Sequence, residues 1–487
     1  MLCVVIKGPS FEEAHHQIAQ ALAYADVVEL RLDCFHSLDL TALRRLRAEF
    51  PIPMIFTLRS RSQGGNYAGS EQQRLADIQR LATMKPEYID IEDDICRIAS
   101  QLPDIRVILS HHDFTGTPED LEGLYNQMQK TPASFYKIAV TARSSVDALR
   151  LLGIAKHSHG NLIAISMGLQ GQVTRILGPI VGCPITYASL DDIQQTAPGQ
   201  LSAKILAERY RHHSLNSGTA VYGLIGDPVD KSISDITHNA FFHAAGLDAV
   251  YVKIPLKAEE LSPFLQLAKE FPFCGLSVTM PLKESVLPYL DRIDPQAREI
   301  GAVNTLVFHQ AAITGYNTDS MGALNAIERK MTVKGKRVVI IGAGGAAKAI
   351  AFETHRRGGL VTILNRDAEK ASRTASRFQG TGKGLDQMET CAEQGYDILI
   401  NCTPMPMPIS PDHIRSDAVV MDINVRPKDT SFSECALSKG CQVVYWHQMF
   451  IEQAVGQHSL WFKDRINVDA CRTTLESSSE KILNRFG

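Results

Sequence analysis

Over residues 1–211, short apolar runs alternate with longer stretches in which apolar residues recur every three or four positions. The runs Cys3–Ile6, Val27–Leu30, Met54–Leu58, Tyr88–Ile91, Val107–Leu109, Phe135–Val140, Leu162–Ile165 and Ile185–Tyr187 read as strands. Their near-continuous apolar character is that of strands covered on both faces. Ser10–Tyr24, Asp39–Glu49, Glu71–Met84 and Thr117–Gln129 read as helices between them. Eight strand–helix alternations in roughly 210 residues predict an α/β fold, a (β/α)8 TIM barrel near the lower end of its size range. An open doubly wound sheet shares the alternation.

Polar residues favour the barrel, because they recur at the carboxyl ends of the runs, where that fold carries its chemistry. Glu29 and Arg31 end the second run, Arg59 the third and Glu92 the fourth. Ser110, His111 and His112 follow the fifth, Lys137 lies in the sixth, and Ser166 and Met167 end the seventh. The polar stretch His212–Thr219 reads as a short linker, after which the rhythm restarts at Ala220–Ile225 and breaks at Gly226-Asp227-Pro228. A second α/β region runs to about Lys330. A third opens with the strand Val338–Ile341, a Gly-rich turn from Gly342 to Ala347, and the strand Val361–Leu364. That order is a Rossmann dinucleotide-binding unit with Ala in the last fingerprint place.

The length of 487 residues is that of about three domains. The net charge of −3 and the absence of a Lys/Arg-rich block argue against a nucleic-acid binder. A local anion site is still allowed. Hydrophobic residues at 44% and charged residues at 21% argue against disorder. The most apolar stretch, Val338 to Ala347, is too short to span a bilayer, so no membrane partner is expected. The N-terminus turns acidic too early for a signal peptide. None of the ten cysteines forms a C-x-x-C pair, which predicts no metal site and a reducing, cytoplasmic setting.

Within FYKIAV, Lys137 either reaches for solvent or sits buried. Burial favours the neutral amine, the form that attacks a ketone to give a Schiff base. His112 is placed to act as a general acid/base. Arg31, Arg59 and Arg175 offer forks for a carboxylate, or else make surface ion pairs. VELRLD, TLRSRSQGG, YIDIE, SHHDFTGTP, YKIAV, ISMGLQGQVTR and TAPGQ then follow in order. With these motifs the first half resembles type I 3-dehydroquinate dehydratase over nearly its whole length. The resemblance implies an imine between Lys137 and 3-dehydroquinate. It implies that His112 assists imine formation and carries the proton lost from C2 to the departing hydroxyl. Glu29, Arg31, Arg59, Arg175, Thr196 and Gln200 would bind substrate, with Met167 and Tyr187 lining the pocket. Gln63 stands where that family usually has Glu.

In the second half Asn365-Arg366 follows the second Rossmann strand, where NAD enzymes usually carry an acid. Arg366, with Lys370 one turn on, favours a 2′-phosphate and hence NADP(H); Asp367 is the competing signal, for NAD. GDPVDKSISDITHN, GLSVTMPLKE, GAVNTLVF and ITGYNTDSMGA resemble shikimate dehydrogenase, from about Ala220 onward. The resemblance implies that Ser232 and Ser234 hold the shikimate carboxylate and that Thr279, Asn304, Asp319 and Gln453 meet the ring hydroxyls. Lys283 and Asp319 would be the catalytic pair. Gly342, Ala343, Gly344, Gly345, Asn365, Arg366 and Lys370 would bind the cofactor, with Asn401–Thr403 and Met449 at the nicotinamide. Val425 replaces a common Tyr, and Met-Pro-Met-Pro replaces a Gly-Met loop ending.

The expectation is therefore a bifunctional shikimate-pathway enzyme turning 3-dehydroquinate into 3-dehydroshikimate and then, with NADPH, shikimate. Its parts are a barrel over 1–211, a substrate domain over 219–330 completed by 447–487, and a Rossmann domain over 331–446. The chain does not reveal its oligomeric state. Two other readings are a ligand sensor that has lost catalysis, and an imine-forming aldolase fused to an NAD-dependent quinate/shikimate dehydrogenase.

Overall fold

The computed structural model describes residues 1–102, 104–191, 199–310, 312–424 and 430–486. They form two compact units: Met1–Ala220 with Ile254–Leu256 and Ser262–Pro272, and Val221–Lys253 with Lys257–Leu261 and Phe273–Gly487.

The first unit is built on eight strands: β1 (Leu2–Ile6), β2 (Val27–Arg31), β3 (Met54–Thr57), β4 (Tyr88–Glu92), β5 (Val107–Asp113), β6 (Phe135–Thr141), β7 (Leu162–Met167) and β8 (Thr186–Ala188). Each pairs in parallel with its neighbour in sequence from β1 to β7, and β1 also pairs with β8. Among the described residues no ladder joins β7 to β8, so the barrel is nearly closed. Cys3, Val5, Val27, Ile55, Tyr88, Ile108, Ala139, Ile163, Ile185 and Tyr187 form one buried cluster. They are the inward-pointing set of alternating positions.

Strands β5, β6 and β7 run past their apolar stretches to Asp113, Thr141 and Met167. Continuing the ladder satisfies backbone groups whatever the side chain, so polar rim residues stay in strand. The helix predicted to start at Thr117 starts instead at Leu121. Pro118 disfavours helix at the residue before it, and the Asp120 carboxylate caps the turn by accepting from Gly123 N at 2.7 Å. The expected linker is partly ordered: His212–Ser214 is a 3-10 turn and His212 is buried.

The second unit has two sheets. One is mixed and contains β9 (Ala220–Gly226), β10 (Ala249–Pro255), β11 (Phe273–Val278), β12 (Arg292–Ile293), β13 (Thr305–His309) and β14 (Ala312–Tyr316). Its order is β10-β9-β11-β13-β14-β12. The other contains β15 (Arg337–Ile341), β16 (Leu360–Asn365), β17 (Thr381–Gly384), β18 (Ile398–Asn401), β19 (Val419–Asp422) and β20 (Gln442–Val444). It is all parallel, in the order β17-β16-β15-β18-β19-β20. That order reverses between β15 and β18, which is where such sheets open a crevice for a dinucleotide.

The chain then returns to the mixed sheet. On the helix Trp446–Phe462, Trp461 Nε1 donates to Leu306 O at 3.0 Å, and Gln457 Oε1 accepts from Ser277 Oγ at 2.9 Å. His458 Nε2 lies 2.5 Å from His238 Nδ1, and both rings are fully buried. No helix among the described residues is long and apolar enough to cross a membrane.

Candidate active sites

Lys137 projects from β6 into the barrel, 3% exposed. Its surroundings are not apolar. Nζ contacts Asp90 Oδ2, lies 3.8 Å from Glu29 Oε1, and sits 4.8 Å from the centre of the Tyr187 ring. Asp90 also accepts from Ser110 Oγ at 2.7 Å and pairs with Arg59 Nη2 at 2.9 Å. Burial pushes the Asp90 carboxyl up, but Arg59 and Lys137 outweigh it and hold the group below the usual carboxylate range. Glu29 is steadied by Thr57 Oγ1, which donates to it at 2.7 Å.

His112 lines the same cavity as Lys137, with Glu29, Arg31, Arg59, Met167, Arg175, Tyr187 and Gln200. Its Nδ1 lies 3.1 Å from Gln63 Oε1 and 3.2 Å from Arg59 Nη1. Burial, reinforced by the cations Arg59, Lys137 and Arg31, holds the imidazole well below its ordinary range. His112 is therefore neutral at neutral pH and able to take a proton.

The three arginines differ. Arg31 is already held bidentately by Asp33, through Nε at 2.9 Å and Nη2 at 2.8 Å. Arg59 is committed to Asp90 and to Glu92, at 3.3 Å from the latter. Arg175, 3% exposed, donates through Nη1 to Ser166 O at 2.9 Å, and its Nε meets no partner among the described residues. Among the described residues it has no carboxylate, and burial pulls it down to about 10. A buried cation without a counter-ion, facing a cavity, is a place for a small anion. Thr196 lies outside the described residues.

In the second unit, Lys283 Nζ and Asp319 Oδ2 meet at 2.5 Å. Asn304 Nδ2 donates to Asp319 Oδ1 at 2.8 Å and to Thr318 Oγ1 at 2.9 Å, and lies 3.3 Å from Gln453 Oε1. Ser232 Oγ and Ser234 Oγ are 2.9 Å apart at the start of the helix Ser234–Ala244. Thr279 follows β11, and its backbone N–H donates to Ile225 O.

On the parallel sheet, Gly342 has φ +109°, and a Cβ there would lie 3.1 Å from Cys402 O and 3.2 Å from Thr403 Cγ2. Only glycine fits so tight a turn. Gly344 then stands at the N-cap of the helix Gly345–Arg356, which has no side-chain cap among the described residues, so its first N–H groups can take a pyrophosphate. Asn365 Nδ2 donates to Asp367 O, and Asp367 Oδ1 accepts from Lys370 N at 2.9 Å, so that acid serves as a helix cap. The Arg366 and Lys370 side chains are exposed and make no ion pair among the described residues. These features fit a phosphorylated dinucleotide. Thr403 bonds Asn401 Oδ1 at 2.8 Å; Ala343 and Met449 belong to the buried core around the sheet. Val425 lies outside the described residues.

Three family descriptions match: type I 3-dehydroquinase over residues 2–217, the shikimate dehydrogenase substrate-binding domain over 224–306, and shikimate/quinate 5-dehydrogenase over 325–429. The shikimate biosynthesis protein AroDE of Chlamydia pneumoniae is 36% identical, with 97% of each chain covered. The bifunctional 3-dehydroquinate dehydratase/shikimate dehydrogenase of Arabidopsis thaliana is 34% identical over 95% of this chain and 82% of its own. The chain belongs to this bifunctional family. A solved shikimate dehydrogenase in complex with NADP+ (MJ1084) aligns at TM-score 0.50 and 35% identity, over 54% of this chain and 96% of that one.

In this bifunctional dehydratase–dehydrogenase, sequence reasoning missed Asp90 in the barrel. The signal was available: Tyr88, Asp90 and Glu92 share one face of β4, and Tyr88 belongs to the interior cluster. It also missed a buried chain in the second unit. Tyr251 OH donates to Ser277 Oγ at 2.7 Å, Ser277 to Gln457, and Gln457 Nε2 to Thr305 Oγ1 at 3.1 Å. These residues lie up to 206 positions apart (457 − 251), so no local pattern marks them.

Proposed function

We propose that the barrel dehydrates 3-dehydroquinate to 3-dehydroshikimate through an imine on Lys137, and that the second unit reduces 3-dehydroshikimate to shikimate. Arg175 draws the substrate carboxylate into the barrel, because the anion there satisfies a cation that has no carboxylate partner among the described residues. Lys137 passes a proton to His112 and attacks the ketone as the amine; His112 returns that proton to the carbinolamine hydroxyl, which leaves as water and gives an iminium that acts as an electron sink. His112 takes a proton from C2, the electron pair moves toward the iminium, and the hydroxyl at C1 departs as water with the proton His112 returns. Hydrolysis of the imine frees the product and restores the amine. Asp90, touching Nζ, keeps the amine facing the reacting carbon.

In the second unit Ser232 and Ser234 hold the carboxylate, and Thr279, Asn304 and Gln453 orient the ring. NADPH supplies the hydride when bound. Lys283 gives a proton to the carbonyl oxygen, and Asp319 steadies the lysine at 2.5 Å. Arg366 and Lys370 bind the 2′-phosphate, Asn365 the ribose, and Gly342 to Gly345 the pyrophosphate. Residues 219–330 with 447–487 form the substrate domain, and 331–446 the cofactor domain. A cytosolic setting fits the ten free cysteines.

The observation that carries the reading is the single cavity holding both Lys137 and the unpaired Arg175. Borohydride with 3-dehydroquinate should leave a covalent adduct on Lys137, and Lys137→Ala should show none. A wild-type chain that stays unmodified and forms no 3-dehydroshikimate refutes the dehydratase reading. Supplying 3-dehydroquinate with NADPH should yield shikimate and consume NADPH, which tests both units together.

A further inference from the structure

The two hydroxyls assigned to the shikimate carboxylate carry no charge. Ser232 Oγ and Ser234 Oγ are 2.9 Å apart, and Ser234 N donates to Ser232 Oγ at 3.2 Å. Neutral hydroxyls hold an anion more weakly than charged donors do. The next residue adds a repulsion. Asp235 lies in the first turn of the helix Ser234–Ala244, and its side chain is only 1% exposed. A buried carboxylate therefore already occupies the positive helix end that the substrate would share, and like charges at such range oppose each other.

Lys253 answers that charge. Asn239, one turn along the helix from Asp235, donates through Nδ2 to Tyr251 O at 2.8 Å and accepts from Tyr251 N at 2.8 Å. This two-way clasp fixes the helix on β10. Tyr251 and Lys253 share one face of that strand, so the clasp brings Lys253 to the first helical turn. Lys253 Nζ lies 3.5 Å from Asp235 Oδ1 and donates to Asp230 O at 3.2 Å and to Ser232 O at 3.3 Å. The ammonium thus neutralises Asp235 and is bonded to the backbone of a residue that supplies one of the two hydroxyls. The neighbouring Asp230 and Lys231 are exposed, where water and salt screen them.

We infer that Lys253 is a positioning residue of the dehydrogenase: paired with Asp235, it cancels a buried negative charge beside Ser232 and Ser234 and so lets their hydroxyls take a carboxylate. The inference deepens the proposed function and rests on its assignment of the carboxylate to these serines. Loss of Lys253 alone should harm an anionic substrate and spare a neutral one of the same shape.

The test follows oxidation of shikimate by NADP+ in the full chain, with the neutral carboxamide of shikimate as a competitive inhibitor. Lys253→Met should raise the KM for shikimate by roughly tenfold or more, with kcat and the carboxamide inhibition constant each changing by less than about threefold. Adding Asp235→Asn to Lys253→Met should return the KM to within about threefold of the wild type. Asp235→Asn alone keeps the ammonium and should lower that KM, a readout that stands even if Lys253→Met fails to fold. A Lys253→Met variant that loses acid and carboxamide alike, or that Asp235→Asn does not rescue, would show a lysine that only braces the backbone, and overturns the inference. So does a KM that Asp235→Asn leaves unchanged or raises. An unchanged shikimate KM in both Ser232→Ala and Ser234→Ala would instead overturn the assignment of the carboxylate to the serines, a failure the Lys253 variants do not mimic.

Discussion

Replacing Arg175 with Met should make the ligand-free barrel more stable and the dehydratase far weaker. Arg175 sits buried in the cavity, and its guanidinium falls to about 10 because burial disfavours its charge. That depression corresponds to about 3 kcal/mol of cost in the folded state. The cost is present at every pH below the folded value and fades only as pH rises through about 10, so it is constant between pH 6 and 8. Met removes the charge and fills similar space, but gives up the bond to Ser166 O, worth roughly 1.5–3 kcal/mol for a charged donor. The balance is a gain of about 1 kcal/mol. Binding moves the other way. Two charge-assisted bonds to a carboxylate are worth roughly 3–6 kcal/mol together, so kcat/KM should fall by roughly a hundred- to ten-thousand-fold. Tryptophan fluorescence does not report on the barrel, because Trp446 and Trp461 both belong to the second unit. Hydrogen exchange of backbone amides in β7 and the following helix Val173–Leu177, without ligand, measures the stability. A variant whose barrel exchanges faster than the wild type, or whose kcat/KM stays within fivefold of it, would show that Arg175 is a structural cation and not an anion site.

Lys283→Met should reduce 3-dehydroshikimate turnover by at least roughly a hundredfold and leave the borohydride adduct on Lys137 unchanged; equal loss of both would point to general unfolding. Arg366→Ala should raise the KM for NADPH by roughly tenfold or more and barely alter that for NADH, as read from initial rates with each cofactor. Equal use of the two cofactors by the wild type would refute the assignment of Arg366. Acid should loosen the second unit. Burial pulls His238 down to about 3 and His458 well below its ordinary range, so the unfolded chain binds more protons below about pH 6.5. Stability should fall by at least about 1.5 kcal/mol between pH 6.5 and 5 from His238 alone, seen by tryptophan fluorescence in urea, and His458→Leu should lessen the slope. Wild-type stability that is flat over this range would contradict burial of the pair as neutral rings.

The alternation of apolar runs and helical stretches placed the barrel strands within a few residues. Parallel strands covered on both faces leave so plain a pattern that little else fits. The residues of the two sites were legible where they sat in motifs, as with Lys137, His112, Lys283 and Asp319. Lys283 and Asp319 were expected as a pair and meet at 2.5 Å, but the ion pairs inside the barrel were not legible. Arg31 and Arg59 promised forks for substrate, yet Asp33, Asp90 and Glu92 hold them, leaving Arg175 as the one of the three with no carboxylate among the described residues. Asp33 lies two residues from Arg31 and could have been suspected; Asp90 meets Arg59 and Lys137 only because β3 to β6 curl around one axis. Lys137, left open between reaching for solvent and burial, is 3% exposed, and the same curl surrounds it with carboxylates.

The helix Trp446–Phe462 closes the mixed sheet by bonding, through Trp461, Gln457 and His458, to residues about 150 to 220 positions earlier. Synthesis delivers that helix after every strand of both units. Until it emerges, β1 to β8 are all available to pair, whereas the Asn304 side chain has no Gln453 and His238 no partner ring. The order of the chain thus sets an order of maturation: the unit for the earlier chemical step can ripen first, and a ribosome that stops before Trp446 releases a polypeptide able to complete only that half.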